Sequence, residues 1–122
     1  YAREPDKINL PNKGTFNSEA NYYATAFHEL IHWTGSPNRL DRTKGKRFGD
    51  SNYAFEELIA EMGAAFLCAD HKIQGDLRHA GYIESWLKAL RDDNKAIFKA
   101  AAFAQKAADY CNNLNKALDL AA

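Results

Sequence analysis

Two histidines four residues apart, with a glutamate beside the first, stand inside an apolar run: Phe27-His28-Glu29-Leu30-Ile31-His32-Trp33. This is the feature that most limits what the chain can become. Residues i and i+4 project from one face of an α-helix, so both imidazoles reach a common point only if the segment is helical. Asn17 or Ser18 offers an N-cap and Gly35 with Pro37 a stop, which predicts a helix to about Thr34. Phe27, Leu30, Ile31 and Trp33 make that helix apolar nearly all round, hence buried, and buried histidines need partners. An H-E-x-x-H spacing arises by chance in about 0.7% of chains of this composition. It suits a tetrahedral Zn²⁺ held by His28 and His32. Glu29 lies about 100° further around the helix, bordering such an ion without ligating it. There its carboxylate is placed to act as general base, taking a proton from a metal-bound water.

A catalytic zinc takes three protein ligands, so another segment must supply the third. A second helix, from about Asn52 to His71 behind Asp50 or Ser51 as cap, has Phe55, Leu58, Ile59, Met62, Ala65, Phe66 and Ala69 at helical spacing. It offers Glu56, Glu57 and Glu61. Glu57 and Glu61 share a face with Ala64 and Cys68, small residues that let this face press against the zinc helix. Carboxylates one turn apart on such a face fit one ligand and one orienting group.

Elsewhere Pro5 and Pro11 bracket Asp6-Lys7-Ile8-Asn9-Leu10, whose alternation predicts one short edge strand. A third helix is expected from about Leu77 to Arg91, with Tyr82, Ile83, Trp86, Leu87 and Leu90 as its apolar stripe. A fourth, rich in alanine, starts at Asp92 or Asp93 and runs to about Asn113. The expected class is therefore α+β, mostly α, with a short edge strand and about four helices in one domain, residues 1–122. Hydrophobic residues at 46% and 15 aromatics (Phe 7, Tyr 6, Trp 2) can build a core without a disulfide, so Cys68 and Cys111 read as small buried thiols. Sixteen basic groups balance sixteen acidic ones, so no whole-molecule field attracts nucleic acid or a membrane surface. The basic loop with Arg39, Arg42, Lys44, Lys46 and Arg47 reads as solvated. No apolar run approaches 18 residues, so no membrane span is expected. The start at Tyr1-Ala-Arg-Glu-Pro reads as a cut inside a longer protein.

The motif and the run Glu56-Glu57-Leu58-Ile59-Ala60-Glu61 together resemble the gluzincin metallopeptidases, whose second motif supplies a ligand Glu and a helper Asp. Carried over, the ligand falls on Glu57 and the helper on Glu61, where Glu replaces the usual Asp and stays open as an alternative third ligand. Gluzincins also use a His or Tyr to stabilise the developing oxyanion, and His79 and Tyr82 are candidates. A wider resemblance runs through Tyr22-Tyr23-Ala24-Thr25-Ala26-Phe27 into the motif and Thr34-Gly35. It continues at Arg39-Leu40, Phe48-Gly49, Tyr53 to Glu61 and Tyr82-Ile83-Glu84-Ser85-Trp86-Leu87. These blocks, in order, are similar to the C-terminal domain of ArdC-like antirestriction proteins and their TraC-type primase relatives. The resemblance implies a zincin-like metallopeptidase domain acting on a polypeptide substrate in the bacterial cytoplasm. It also implies a missing N-terminal domain that binds single-stranded DNA. A zinc-stabilised accessory domain without proteolysis is the alternative.

Overall fold

The computed structural model describes residues 1–42, 51–74, 80–91 and 93–121; the side chains of 80–82, 89 and 115–121 fall outside that description. Among the described residues four helices carry the architecture: α1 Glu19–Thr34, α2 Ser51–Asp70, α3 Ala80–Ala89 and α4 Ala96–Ala121. A 3-10 turn, Lys13–Thr15, precedes them. The central element is α2, which packs against the other three, while α1 also touches α4.

Local chemistry sets the ends of α1. Ser18 is extended (φ −150°, ψ 158°), and its hydroxyl oxygen accepts the Asn21 N–H at 3.1 Å. One of the four amides left open at a helix start is thereby satisfied. At the far end the Gly35 N–H donates to the His32 carbonyl at 3.0 Å. The chain then folds back under the last turn: Leu40 N–H bonds the Thr34 carbonyl at 2.8 Å, and Arg42 N–H the Gly35 carbonyl at 3.0 Å. Residues 35–42 are thus strapped to α1, and this strap decides where Arg42 goes.

The core joins Ile31 of α1, Leu58, Ile59, Ala60 and Leu67 of α2, and Trp86 of α3 to Ala100, Ala104, Ala107 and Ala108 of α4. Those alanines recur at i, i+4, i+7 and i+8, a narrow stripe that lets α4 lie close along α2. Gly63 plays the matching part between α2 and α1. A Cβ there would sit 2.8 Å from Cδ1 of Ile31, a side chain with no exposed surface.

The α+β expectation is corrected. No β-sheet exists among the described residues, and the segment read as an edge strand contributes only an isolated antiparallel bridge between Ala2 and Lys7. Asp6, at φ 64°, makes the turn between those two residues. Ile8 and Leu10 are half-buried and Asn9 exposed, so the alternation is real. It records one-sided burial of an extended segment, which does not require a neighbouring strand. Helix α2 keeps its expected bounds within one residue. The expected start of α3 at Leu77 lies outside the described residues. Helix α4 starts later than expected, because Asp93 is spent ahead of it, accepting the Lys95 N–H at 3.0 Å and the Lys99 ammonium at 3.1 Å. It also runs past Asn113, to Ala121. Both cysteines are free. No helix among the described residues is long and apolar enough to cross a membrane.

Candidate metal centre

The crossing of α1 and α2 brings His28, His32 and Glu57 together. The Nε2 atoms of the two imidazoles lie 3.1 Å apart. Glu57 straddles them, with Oε2 3.2 Å from Nε2 of His28 and Oε1 3.3 Å from Nε2 of His32. Metal–ligand bonds of about 2.0–2.1 Å at tetrahedral angles place neighbouring donors about 3.3 Å apart. The three separations match that edge, so the donor set fits a small divalent ion. The cluster is not sealed: the His32 and Glu57 side chains keep 12% and 14% of their surface, against 4% for His28.

The outward ring nitrogens of these α1 histidines meet two further carboxylates of α2. Nδ1 of His32 donates to Oε2 of Glu56 at 2.9 Å. A carboxylate only accepts, so the proton of a neutral His32 resides on Nδ1 and Nε2 presents its lone pair inward. Nδ1 of His28 lies 3.6 Å from Oε2 of Glu61, an ion-pair distance.

Glu56 is itself held. Its carboxylate accepts Arg42 Nε on Oε1 at 2.9 Å and Arg42 Nη2 on Oε2 at 3.1 Å. The same guanidinium donates to the Ile31 carbonyl at 2.7 Å and the Thr34 hydroxyl at 2.9 Å. Arg42 and Glu56 are both buried.

Without a metal, protons hold this acidic pocket together. Burial disfavours a charged His28, yet the Glu57 and Glu61 carboxylates outweigh it and push the imidazole up to about 9. Burial likewise opposes charge on His32, and its bonds to Glu56 and Glu57 overcome that and raise it. Burial acts to raise Glu57, but the two imidazoles hold it far below the usual carboxylate range. Glu56 is lowered too, because His32 and Arg42 prevail over its burial.

Glu29, next to His28, stands outside the three-donor cluster. It is partly exposed, and its carboxylate accepts the Tyr1 amino group. His79 lies outside the described residues, and Tyr82 lies on α3 with its side chain outside them. Of the basic loop, residues 43–50 are likewise outside, but the solvated reading fails for the two arginines that are described. Arg42 is buried on Glu56, and Arg39 stacks on Trp33 (4.0 Å to the ring centroid) while pairing with Asp6 at 2.5 Å. Sequence reasoning missed the Glu56–Arg42 pair. Its one signal was the doubled Glu56-Glu57, two carboxylates where one ligand is needed.

Comparison with known proteins bears on the family. Residues 1–103 match the family model described as zincin-like metallopeptidase. DNA primase TraC of Escherichia coli is 50% identical over 111 residues, which are 90% of this chain and 10% of that protein. The uncharacterized protein y4eC of Sinorhizobium fredii is 43% identical over 112 residues, 90% of this chain and 36% of that one. The Mn(II)-bound crystal structure of antirestriction protein ArdC from plasmid R388 superposes with a TM-score of 0.80 at 49% identity, over 93% of this chain and 43% of that one. Its metal-free crystal structure gives a TM-score of 0.77 at 52% identity, over 93% and 41%. The chain thus spans only a minor part of each relative's length. With the match covering most of its residues and a two-histidine, one-carboxylate cluster at the crossing of α1 and α2, the chain belongs to the zincin-like metallopeptidase family.

Proposed function

We propose that the chain is a metal-holding domain of a DNA-protecting antirestriction protein, one whose contribution does not require peptide-bond hydrolysis. His28, His32 and Glu57 hold Zn²⁺, Glu56 orients His32, and Glu61 faces His28. The observation that carries this reading is the donor triangle of 3.1, 3.2 and 3.3 Å, in a chain 49% identical to ArdC over 93% of its own residues and 43% of that protein's. The metal ties α1 to α2 where the two helices cross. Protection would reside largely in other parts of a longer protein, including a region that binds single-stranded DNA in the bacterial cytoplasm.

The partial exposure of His32 and Glu57 favours a second reading, since a catalytic site leaves one metal position open to water or substrate. In that reading an ion held by His28, His32 and Glu57 would supply Lewis acidity towards an amide carbonyl and would lower the pKa of a water, to about 7, for attack on that carbonyl. Glu29 takes the proton and passes it to the leaving amine of a polypeptide. The discriminating experiment compares the protein with its Glu29→Gln form in protecting incoming DNA from restriction. Retained metal with unchanged protection supports the accessory role. Retained metal with lost protection overturns it and establishes the need for a general base.

A further inference from the structure

The buried guanidinium of Arg42, which lies outside both helices that carry the donors, touches both halves of the site's scaffold. It bonds the last turn of α1 through the Ile31 carbonyl and the Thr34 hydroxyl. It bonds α2 through both oxygens of Glu56. Resting on the metal-site reading above, we infer that Arg42 is a positioning residue that sets metal affinity by holding Glu56 against Nδ1 of His32.

The argument is one of geometry and charge. Oε2 of Glu56 serves two donors at once, His32 Nδ1 at 2.9 Å and Arg42 Nη2 at 3.1 Å, while Oε1 serves Arg42 Nε at 2.9 Å. Both oxygens are therefore fixed, and the carboxylate cannot swing away without breaking a forked, charge-assisted pair. A glutamate chain of three torsions, held only by one imidazole, would lack that constraint. Arg42 in turn is fixed by the strap at 35–42, whose amide bonds to Ser36, Gly35 and Thr34 carbonyls return the chain to α1. The imidazole so oriented is His32, the more exposed of the two. A ligating imidazole takes its tautomer and ring orientation from the partner of its other nitrogen. Lysine cannot substitute, because a single ammonium cannot span the two Glu56 oxygens and the α1 acceptors together.

The test measures Zn²⁺ affinity by chelator competition on the intact chain, with helical circular dichroism recorded for every variant. The variants are Arg42→Lys, Arg42→Met, Glu56→Gln and the double variant Arg42→Met with Glu56→Gln. Arg42→Lys, which keeps a buried charge, guards against the case in which Arg42→Met fails to fold. Folded Arg42→Lys is expected to bind zinc about 10-fold more weakly, within the range for loss of an outer-shell partner. Glu56→Gln should lose 10–100-fold, and the double variant about the same as Glu56→Gln alone, since Arg42 acts through that carboxylate. A merely structural arginine would lower thermal stability without this non-additivity. Wild-type affinity in folded Arg42→Lys, or losses that multiply in the double variant, would overturn the inference while leaving the metal site intact. A wild-type chain that binds no zinc would overturn the site itself, and this inference with it.

Discussion

At the residue scale, three glutamates of α2 face two imidazoles and are not equivalent. Glu57 alone reaches both inward nitrogens, whereas Glu61 lies beside the outward nitrogen of His28. Removing a direct ligand leaves two imidazoles and an emptied coordination position. Glu57→Ala is therefore expected to weaken zinc binding more than about 100-fold, and Glu61→Ala only 10–100-fold, as for an outer partner. Chelator competition on both variants decides this, and a larger loss for Glu61→Ala would exchange their roles. The proton balance supplies a second expectation. His28 without metal is raised from 6.5 to about 9, so at neutral pH it carries a proton that zinc must displace. Apparent zinc affinity should climb with pH between about 6.5 and 9, with at least one proton released per ion in weakly buffered solution. For the metal-free fold the sign is opposite. A raised imidazole contributes stability that is complete below 6.5 and lost as pH rises through about 9. Depressed Glu57 contributes stability present above 4.5 and lost as pH falls towards its folded value. Metal-free protein should thus be most resistant to denaturant between about 4.5 and 6.5. A flat profile from pH 6 to 9 would contradict the His28–Glu57–Glu61 pairing.

At the scale of elements, donor separations depend on how closely α2 crosses α1. Gly63 permits that approach: a methyl at this position would meet Cδ1, Cγ1 and Cγ2 of Ile31 at 2.8, 2.9 and 3.1 Å. On an exposed helix, glycine to alanine would stabilise by about 1 kcal/mol. Here the methyl would press on three atoms of the fully buried Ile31, and overpacking costs about 1–3 kcal/mol. Gly63→Ala is expected to lower the denaturant midpoint and weaken zinc binding together, because the added methyl pushes apart the helices that carry the donors. Adding Ile31→Val removes Cδ1, the nearest clash, and should recover part of both losses. Independent, additive effects of the two substitutions would show that the contact does not set the crossing. The flat alanine stripe of α4 belongs to the same logic, since Ala100, Ala104, Ala107 and Ala108 have no exposed surface against α2.

At the scale of the whole molecule, the metal is expected to stabilise a fold that exists without it. The core joins all four helices, and the chain superposes on both metal-bound and metal-free ArdC. Binding to the native state alone adds about 2.7 kcal/mol when free metal is 100 times its Kd. For a domain of this size that raises Tm by about 10 °C. Chelation should therefore lower Tm by that amount while leaving the helical circular dichroism at 25 °C unchanged. Collapse of helicity on chelation would instead assign the ion a part in folding.

What the sequence determined by itself was local. A capped helix, an i/i+4 histidine pair and the 3.6-residue stripe of α2 are properties of short segments, so the pairing of His28 with His32 on one helix face was legible before any tertiary contact. The alternation at Ile8 and Leu10 was equally legible as one-sided burial, but whether a partner strand lay beside it was not. Only the tertiary structure decided which glutamate faces which nitrogen. Glu56 and Glu57 are adjacent in sequence and about 100° apart on the helix, and the crossing of α1 and α2 turns one towards Nδ1 of His32 and the other between the two Nε2 atoms. It also decided the fate of Arg42. A charge in a basic loop is solvated unless distant chain covers it, and here the strap beneath α1 carries this one into the interior, onto a carboxylate that needs it.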